Sequence, residues 1–223
     1  MKLLALDTAT EACSVALNVD GEVLERFEIM PRRHSRELLP MVDGLLAEAD
    51  LRLTELDALA FGRGSGAFTG LRVATAMVQG LAFAVDLPVI PVSTLAALAQ
   101  QGYREKGADQ VLSAIDARMG EVYWGAFAAT DGVMSPLMDE IVVTPEIISV
   151  PPVKATWFGM GTGWTFRDQL NVDVIDCVAE AWPHAWDIAV LAAVDFQEGR
   201  LLPAEQAMPV YLRDKVALKK SER

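Results

Sequence analysis

KLLALDTATEACSVALNVDGEVLERFEI, residues 2–29, contains the strongest structural signal in the chain. An apolar run over 2–7 predicts a β-strand, and after a threonine-rich turn two further extended runs follow at 13–19 and 22–29. An Asp-Gly pair at 20–21 joins these two runs, which is typical of a β-hairpin. The stretch therefore predicts three consecutive strands.

The second half of the chain repeats this plan. Residues 111–116 and 121–129 predict two strands, and another Asp-Gly pair leads into a third. Asp7 and Asp116 each end the first strand of their half. Two structurally related halves are the natural inference, and a chance match of short hairpin signals is the alternative.

Helical periodicity lies between the hairpins. Apolar spacing predicts an amphipathic helix over 36–50, a buried strand over 56–62, and a second helix over 71–85 after a glycine-rich loop. A strand, a loop and a helix in this order predict an α/β crossover.

A third helix and a domain boundary come next. Ser93 is expected to cap a helix from 94 to about 101. The polar stretch at 102–110 then marks a boundary between two domains, 1–104 and 105–223, in an α/β protein.

Composition excludes several classes of protein. The 223 residues are 52% hydrophobic, and 31 acidic residues against 19 basic ones give a net charge of -12. Such a body repels a phosphate backbone, so strong independent binding of nucleic acid is not expected. The basic segment 213–223 could assist tRNA binding only indirectly or within a complex.

The sequence predicts a cytoplasmic protein without a membrane partner. No apolar stretch approaches the ~20 residues that a bilayer requires, and Asp7 interrupts the first apolar run too early for a signal peptide. Cys13 and Cys177 have no disulfide or zinc spacing, and two histidines are too few for a histidine-rich metal site.

Several residues could bind a nucleotide or an anion. A carboxylate at the end of a strand could hold hydrated magnesium or could merely cap the turn, and glycine-rich loops could cradle phosphate or only permit tight packing. The candidates are Asp7, Thr8, Thr10, Gly62, Gly64, Gly66, Asp116, Gly161 and Gly163.

Two surfaces could bind a partner. The basic cluster at 32–36 could clamp a carboxylate or phosphate, or could be a solvated loop. The helix at 71–85 is apolar on almost every side, so it needs cover on every side, from this chain or from a second protein.

Five motifs in the correct order resemble the TsaB family, also called YeaZ. They are LALDTATEACSVAL at 4–17, HSRELLP at 34–40, GRGSGAFTGLR at 62–72, AIDARMGEVY at 114–123 and PVYLRDKVA at 209–217. The resemblance implies the actin and sugar-kinase (ASKHA) fold, with two ribonuclease-H-like domains. It also implies a role in making threonylcarbamoyladenosine on tRNA, with TsaD as the catalytic subunit and TsaE as an ATPase.

The resemblance further implies a chain without metal chemistry. The catalytic paralogue TsaD holds its metal with an Asn-His-x-x-x-His pattern, and Thr94 and Leu98 occupy the two histidine positions here. Neither side chain can replace imidazole. No catalytic residue and no cofactor of its own are expected, with ATP and magnesium bound only weakly or by the complex.

The leading hypothesis is a scaffold that binds TsaD through the helices at 36–50 and 71–85 and forms a homodimer through the same face when alone. The expected interface residues are Leu38, Leu39, Val42, Leu45, Leu46, Leu71, Ala74, Met77, Val78 and Leu81. The alternatives are a phosphotransferase of the sugar-kinase type that uses Asp7 and Asp116, and a peptidase, for which no hydrolytic constellation is visible.

Overall fold

The computed structural model describes residues 1–153 and 156–213. The strands are β1 (Lys2–Asp7), β2 (Ala12–Val19), β3 (Glu22–Ile29), β4 (Ala58–Gly64), β5 (Val89–Ser93), β6 (Gln110–Arg118), β7 (Glu121–Thr130), β8 (Val133–Pro136), β9 (Ile141–Val143), β10 (Phe158–Met160) and β11 (Asp176–Val178). The α-helices are α1 (His34–Glu48), α2 (Phe68–Val85), α3 (Thr94–Lys106) and α4 (Ala185–Gln197).

Two sheets have the same strand order. The first runs β3-β2-β1-β4-β5, and the second runs β8-β7-β6-β10-β11, with β9 also paired to β7. In each sheet the first strand in sequence pairs antiparallel with the second, and β1 pairs parallel with β4 as β6 does with β10. This identity of topology confirms the two related halves that the hairpin repeat predicted, and each half has the ribonuclease-H-like order.

The elements stack in layers around three apolar clusters. Helices α1 and α2 cover the outer face of the first sheet. Helices α3 and α4 lie between the two sheets and contact the inner face of each. Trp124 and Trp164 close the outer face of the second sheet, with ring centroids 5.9 Å apart.

Helix α4 completes the first lobe although it comes from the second half of the chain. It packs on β1, β2 and β4 of the first sheet. Its amino terminus is held by side chains from that sheet, because Ser14 Oγ accepts the Ala185 N–H at 2.8 Å and Glu25 accepts the Trp186 N–H at 3.1 Å. The sequence shows an apolar run at 188–194, but it does not predict that this helix packs on the first sheet.

Element boundaries differ from the predictions by a few residues. Helix α3 continues to Lys106, beyond the predicted end at about 101, so position 104 lies inside a helix. Gly102 lies inside this helix and does not end it. A Cβ at position 102 would press on Met160 and Val111, so glycine allows the helix to pack closely against them. The capping role of Ser93 is confirmed, because its Oγ accepts the Ala96 N–H at 3.1 Å.

The sequence predicts a strand at 155–158 followed by a glycine-rich loop at 159–163, and the structure has this strand as β10, two to three residues later. Gly159 therefore lies within a strand rather than in a loop. Lys154 and Ala155 lie outside the described residues.

Helix α2 is, by length and composition alone, apolar enough to cross a membrane, with a mean hydropathy of 1.4 over 18 residues. This differs from the expectation that no stretch approaches that length. One side of the helix is buried against the first sheet through Leu71, Ala74, Val78 and Ala82. We therefore interpret α2 as a helix of the sheet's outer layer with one uncovered side.

Two glycines of α2 provide a matched test of this packing. Gly70→Ala is expected to lower the free energy of unfolding by about 1–3 kcal/mol, because its Cβ would overlap the Thr8 carbonyl oxygen. Gly80→Ala is expected to raise it by about 0.5–1 kcal/mol, since a Cβ there meets nothing within 4 Å. Urea unfolding followed by tryptophan fluorescence measures both, and equal effects would contradict the close approach at Gly70.

Candidate functional site: the cleft between the lobes and the exposed helical face

A cleft with a volume of about 560 Å³ lies between the two lobes. Of the nine residues predicted to bind a nucleotide or an anion, Thr10, Gly66 and Asp116 line this cleft. Ser65 and Trp182 also contribute to its walls.

Asp7 is fully buried and does not line the cleft. Its Oδ1 accepts the Ala9 N–H at 2.9 Å, and its Oδ2 has no hydrogen-bond partner. A Cβ on Gly62 would overlap Oδ2 and would also contact Ile188, which places the carboxyl beneath α4. Burial raises the pKa of Asp7 to about 7, although the Ala9 N–H and the nearby His184 oppose this shift. Asp7 therefore caps the turn after β1.

Asp116 occupies the corresponding position in the second lobe, and Arg118 satisfies both of its oxygens. The Arg118 backbone N–H donates to Oδ1 at 2.7 Å, and its Nη1 donates to Oδ2 at 2.9 Å. Nη2 of the same guanidinium reaches Glu11 of the first lobe at 2.6 Å. Arg118 thus neutralises Asp116 and bridges the two lobes at the cleft.

The glycine-rich loop packs against the turn between β1 and β2. The Ala67 N–H donates to the Ala9 carbonyl at 2.7 Å, and a Cβ on Gly66 would overlap that same carbonyl. Thr8 Oγ1 donates to the Gly70 carbonyl at 2.7 Å. These contacts hold the loop against the turn, while Gly66 still lines the cleft.

The remaining candidates also make contacts within the chain. Thr10 Oγ1 accepts the Ala12 N–H at 3.3 Å. Gly64 has a φ of +115° and a Cβ there would meet the Val210 carbonyl, while Gly161 and Gly163 pack against Ala114. The tight-packing interpretation explains these glycines.

A magnesium nucleotide does not fit the two carboxylates. The Oδ2 of Asp7 is enclosed and its pKa is raised, and the carboxylate of Asp116 is already paired with Arg118. Within residues 1–153 and 156–213 no group of three or more His, Cys, Asp or Glu side chains could hold a metal ion. Thr94 and Leu98 are fully buried in α3.

The basic cluster at 32–36 lies at the start of α1 and is partly neutralised. Arg33 pairs with Glu37 at 3.0 Å and lies 3.8 Å from Glu28, and Arg36 lies 3.7 Å from Glu37. These side chains are largely exposed, as expected for a solvated loop before a helix.

The predicted helical interface needs correction. Seven of its ten residues are buried against the first sheet and belong to the core of this chain, because the apolar stripe of each helix faces the sheet. They are Leu38, Val42, Leu45, Leu46, Leu71, Ala74 and Val78. Leu39, Met77 and Leu81 remain on the surface or are only partly buried.

A different set of residues forms the exposed apolar face of these helices. It has a groove of about 610 Å³ between the start of α1 and the outer side of α2, which we name the α1–α2 groove. The groove is lined by Ser35, Leu39, Phe68, Thr69, Arg72, Val73, Ala76, Met77, Gly80 and Leu81. Phe83, beyond its end on α2, is 82% exposed.

Sequence reasoning missed two buried polar contacts of α4. His184 Nδ1 lies 2.9 Å from Glu25 Oε2, and its ring stacks on Phe27. Burial raises the pKa of Glu25, but the hydrogen bond and charge of His184 outweigh it and hold the pKa below its ordinary value. Asp187 accepts two hydrogen bonds from Arg104 of α3, at 3.0 and 2.8 Å. These partners are far apart in sequence, and no local pattern links them.

Two tandem ribonuclease-H-like lobes, with equivalent aspartates at the ends of their first strands, define a protein of the actin and sugar-kinase class. A family model described as "TsaD: tRNA N6-adenosine threonylcarbamoyltransferase" matches residues 27–157. The tRNA threonylcarbamoyladenosine biosynthesis protein TsaB of Escherichia coli (strain K12) is 44% identical, with 99% of this chain and 98% of that protein covered.

Two further comparisons agree with this match. The TsaB protein of Haemophilus influenzae (strain ATCC 51907 / DSM 11121 / KW20 / Rd) is 41% identical, over 99% of this chain and 97% of that protein. A solved structure, YeaZ from Pseudomonas aeruginosa, is 52% identical with a TM-score of 0.93, and 95% of this chain and 99% of that chain are covered. The chain belongs to the TsaB (YeaZ) family.

The raised pKa of Asp7 predicts a dependence of stability on pH. Because the pKa of Asp7 in the folded state is higher than its ordinary value of 3.8, the folded state binds the proton more tightly. Stability from this group is complete below about pH 4 and is lost as the pH rises through about 7, by up to about 4 kcal/mol. Asp7→Asn cannot ionise, so its free energy of unfolding is expected to fall less over this range.

Urea unfolding of both proteins at several pH values between 4 and 8 measures this difference. Parallel curves for the wild type and Asp7→Asn would show that Asp7 does not titrate in the folded state.

Proposed function

We propose that this chain is an accessory subunit in the biosynthesis of threonylcarbamoyladenosine on tRNA, and that it supports a catalytic TsaD-type subunit without catalysing a reaction itself. Its membership of the TsaB family supports the pathway, since the relatives are named for that process. The match to a TsaD family model supports a common fold with the proposed partner.

The α1–α2 groove is the observation that carries the proposal. It places Leu39, Met77 and Leu81 beside the small residues Ala76 and Gly80 on one uncovered helical surface. Contiguous exposed apolar surface of this kind marks protein interaction sites, and small residues allow a partner helix to approach closely. A TsaD-type subunit is the proposed occupant.

The surroundings of Asp7 and Asp116 favour an accessory role for this chain over a catalytic one. Asp116 is neutralised by Arg118, and Asp7 is enclosed under α4. Neither group is available to hold a metal or to move a proton on a substrate. We therefore propose no cofactor of its own for this chain, with ATP and magnesium handled by the complex.

We further propose which molecules this chain binds and where it acts. The chain forms a homodimer through the α1–α2 groove when alone, and a TsaE-type ATPase joins the complex. Transfer RNA contacts the chain only indirectly, because the net charge of -12 opposes independent binding. The setting is the cytoplasm, where tRNA modification takes place.

A phosphotransferase of the sugar-kinase type is the second candidate. Its one favourable observation is the equivalent placement of Asp7 and Asp116 after the first strand of each lobe. A peptidase has no such support, since the described residues contain no serine or cysteine activated by a neighbouring histidine.

Met77→Glu combined with Leu81→Glu is expected to abolish the complex with the TsaD-type subunit. Two carboxylates would be desolvated in an apolar contact, and the expected loss is at least about 2 kcal/mol, or roughly 30-fold in Kd. Light scattering on size-exclusion fractions measures the complex. Ile147→Glu, at a site 70% exposed on the second lobe, is the control and should bind as the wild type does. A complex unaffected by the double variant would exclude this face.

Isothermal titration with ATP and magnesium separates the two candidates. The chain alone is expected to show neither micromolar ATP binding nor turnover with sugars, because Asp7 is enclosed and Asp116 is paired with Arg118. Asp116→Asn is expected to leave the complex with the TsaD-type subunit unchanged. Micromolar binding by the wild type that Asp116→Asn removes would favour the phosphotransferase.

A further inference from the structure

Among the described residues that line the α1–α2 groove, Arg72 alone is charged. Arg72 is exposed on α2, and its guanidinium carbon is 3.8 Å from the centre of the Phe68 ring. Its Nε donates to the Tyr211 hydroxyl at 3.2 Å, and Tyr211 in turn packs on Phe68 with ring centroids 5.2 Å apart. The guanidinium is therefore held in a defined position on the groove wall.

The other nitrogens of this guanidinium have no partner among residues 1–153 and 156–213. None of the ion pairs among the described residues includes Arg72. Its two terminal nitrogens form no hydrogen bond within the described part of the chain, since Nε alone takes part in one. A planar fork with two free nitrogens suits bidentate binding of a carboxylate.

The start of α2 adds positive potential at the same place. Its N-cap residue, Ala67, provides no side-chain cap, and no acidic residue lies in the first turn. No carboxylate of the helix's own first turn therefore offsets the positive end of the helix dipole. In a chain with a net charge of -12, this end of the groove is locally favourable to an anion.

Covering the groove with a purely apolar surface would be costly. It would remove Arg72 from water without giving its free nitrogens an acceptor, and an unpaired buried charge opposes binding. A partner that carries a carboxylate among apolar residues would satisfy the guanidinium and bury the groove at the same time.

The lining of the groove offers no such carboxylate to a second copy of this chain. In a two-fold homodimer the same patch meets itself, and none of the residues that line the groove is acidic. Glu37, on the adjoining α1, already pairs with Arg33 and lies near Arg36.

We propose that Arg72 determines which partner the groove accepts: it pairs with a carboxylate on an apolar helix of the TsaD-type subunit, and its unpaired charge weakens the homodimer. This inference rests on the proposed function, because it names the recognition chemistry of the same surface. Arg72 acts as a specificity residue of an interface and takes no part in catalysis.

Arg72→Met tests the proposal, because it keeps an unbranched side chain and removes the charge. Its complex with the TsaD-type subunit is expected to weaken by at least about tenfold and to lose most of its salt dependence. Its self-association, measured by sedimentation of the chain alone, is expected to be as tight as that of the wild type or tighter.

Two control variants separate recognition from structure. Tyr211→Phe removes only the hydrogen bond that holds Arg72 and should weaken the complex less than Arg72→Met does. Arg36→Met removes an arginine with an 87% exposed side chain that does not line the groove, and it should bind normally. Urea unfolding checks that each variant is folded, and Arg72→Gln, which also removes the charge, replaces Arg72→Met if the latter is not.

The outcomes distinguish failure of the proposed function from failure of the role proposed for Arg72. If the wild-type proteins form no complex, the proposed function fails. If they form a complex that Arg72→Met or Arg72→Gln leaves unchanged, this inference alone is overturned. Equal weakening of the heterodimer and the homodimer, or equal effects of Arg72→Met and Tyr211→Phe, would also overturn it.

Discussion

The start of α2 lies directly on the turn between β1 and β2, and the rest of the structure depends on this close approach. The Ala67 N–H and the Gly70 carbonyl bond to that turn, and the glycines of the loop leave no room between them. The contact fixes the loop against the turn, and it sets the helix so that one side packs on the sheet and the other side faces outward with Arg72 and Met77. The wall of the cleft and the exposed helical face thus depend on the same contact.

Much of the fold could be predicted because its signals are local. The hairpin at β2 and β3 follows from two extended runs joined by one Asp-Gly pair, and both residues of that pair adopt positive φ. The repeat in the second half uses the same signals. The position of α4 could not be predicted, because it depends on contacts of Ala185 and Trp186 with strands more than 150 residues earlier.

The candidate site was less predictable for a physical reason. Periodicity identifies the apolar stripe of a helix, but that stripe is the one the chain buries itself, so Leu38 and Val78 belong to the core. The useful signal was the apolar composition of α2 on its remaining side, which left Phe83 exposed and Met77 partly exposed. The pairing of Asp116 with Arg118 could not be predicted, because residue spacing alone does not show which way a side chain points.

The origin of α4 in the second half of the chain has a consequence for synthesis on the ribosome. The inner face of the first sheet, with Leu3, Ala5 and Ala60, is covered by α3 and α4 together. Until α4 has left the exit tunnel, the first five strands can pair while part of that apolar face remains open to water. We therefore expect the nascent chain to be most prone to aggregation, and most dependent on chaperones, after the first sheet has formed and before residue 197 emerges.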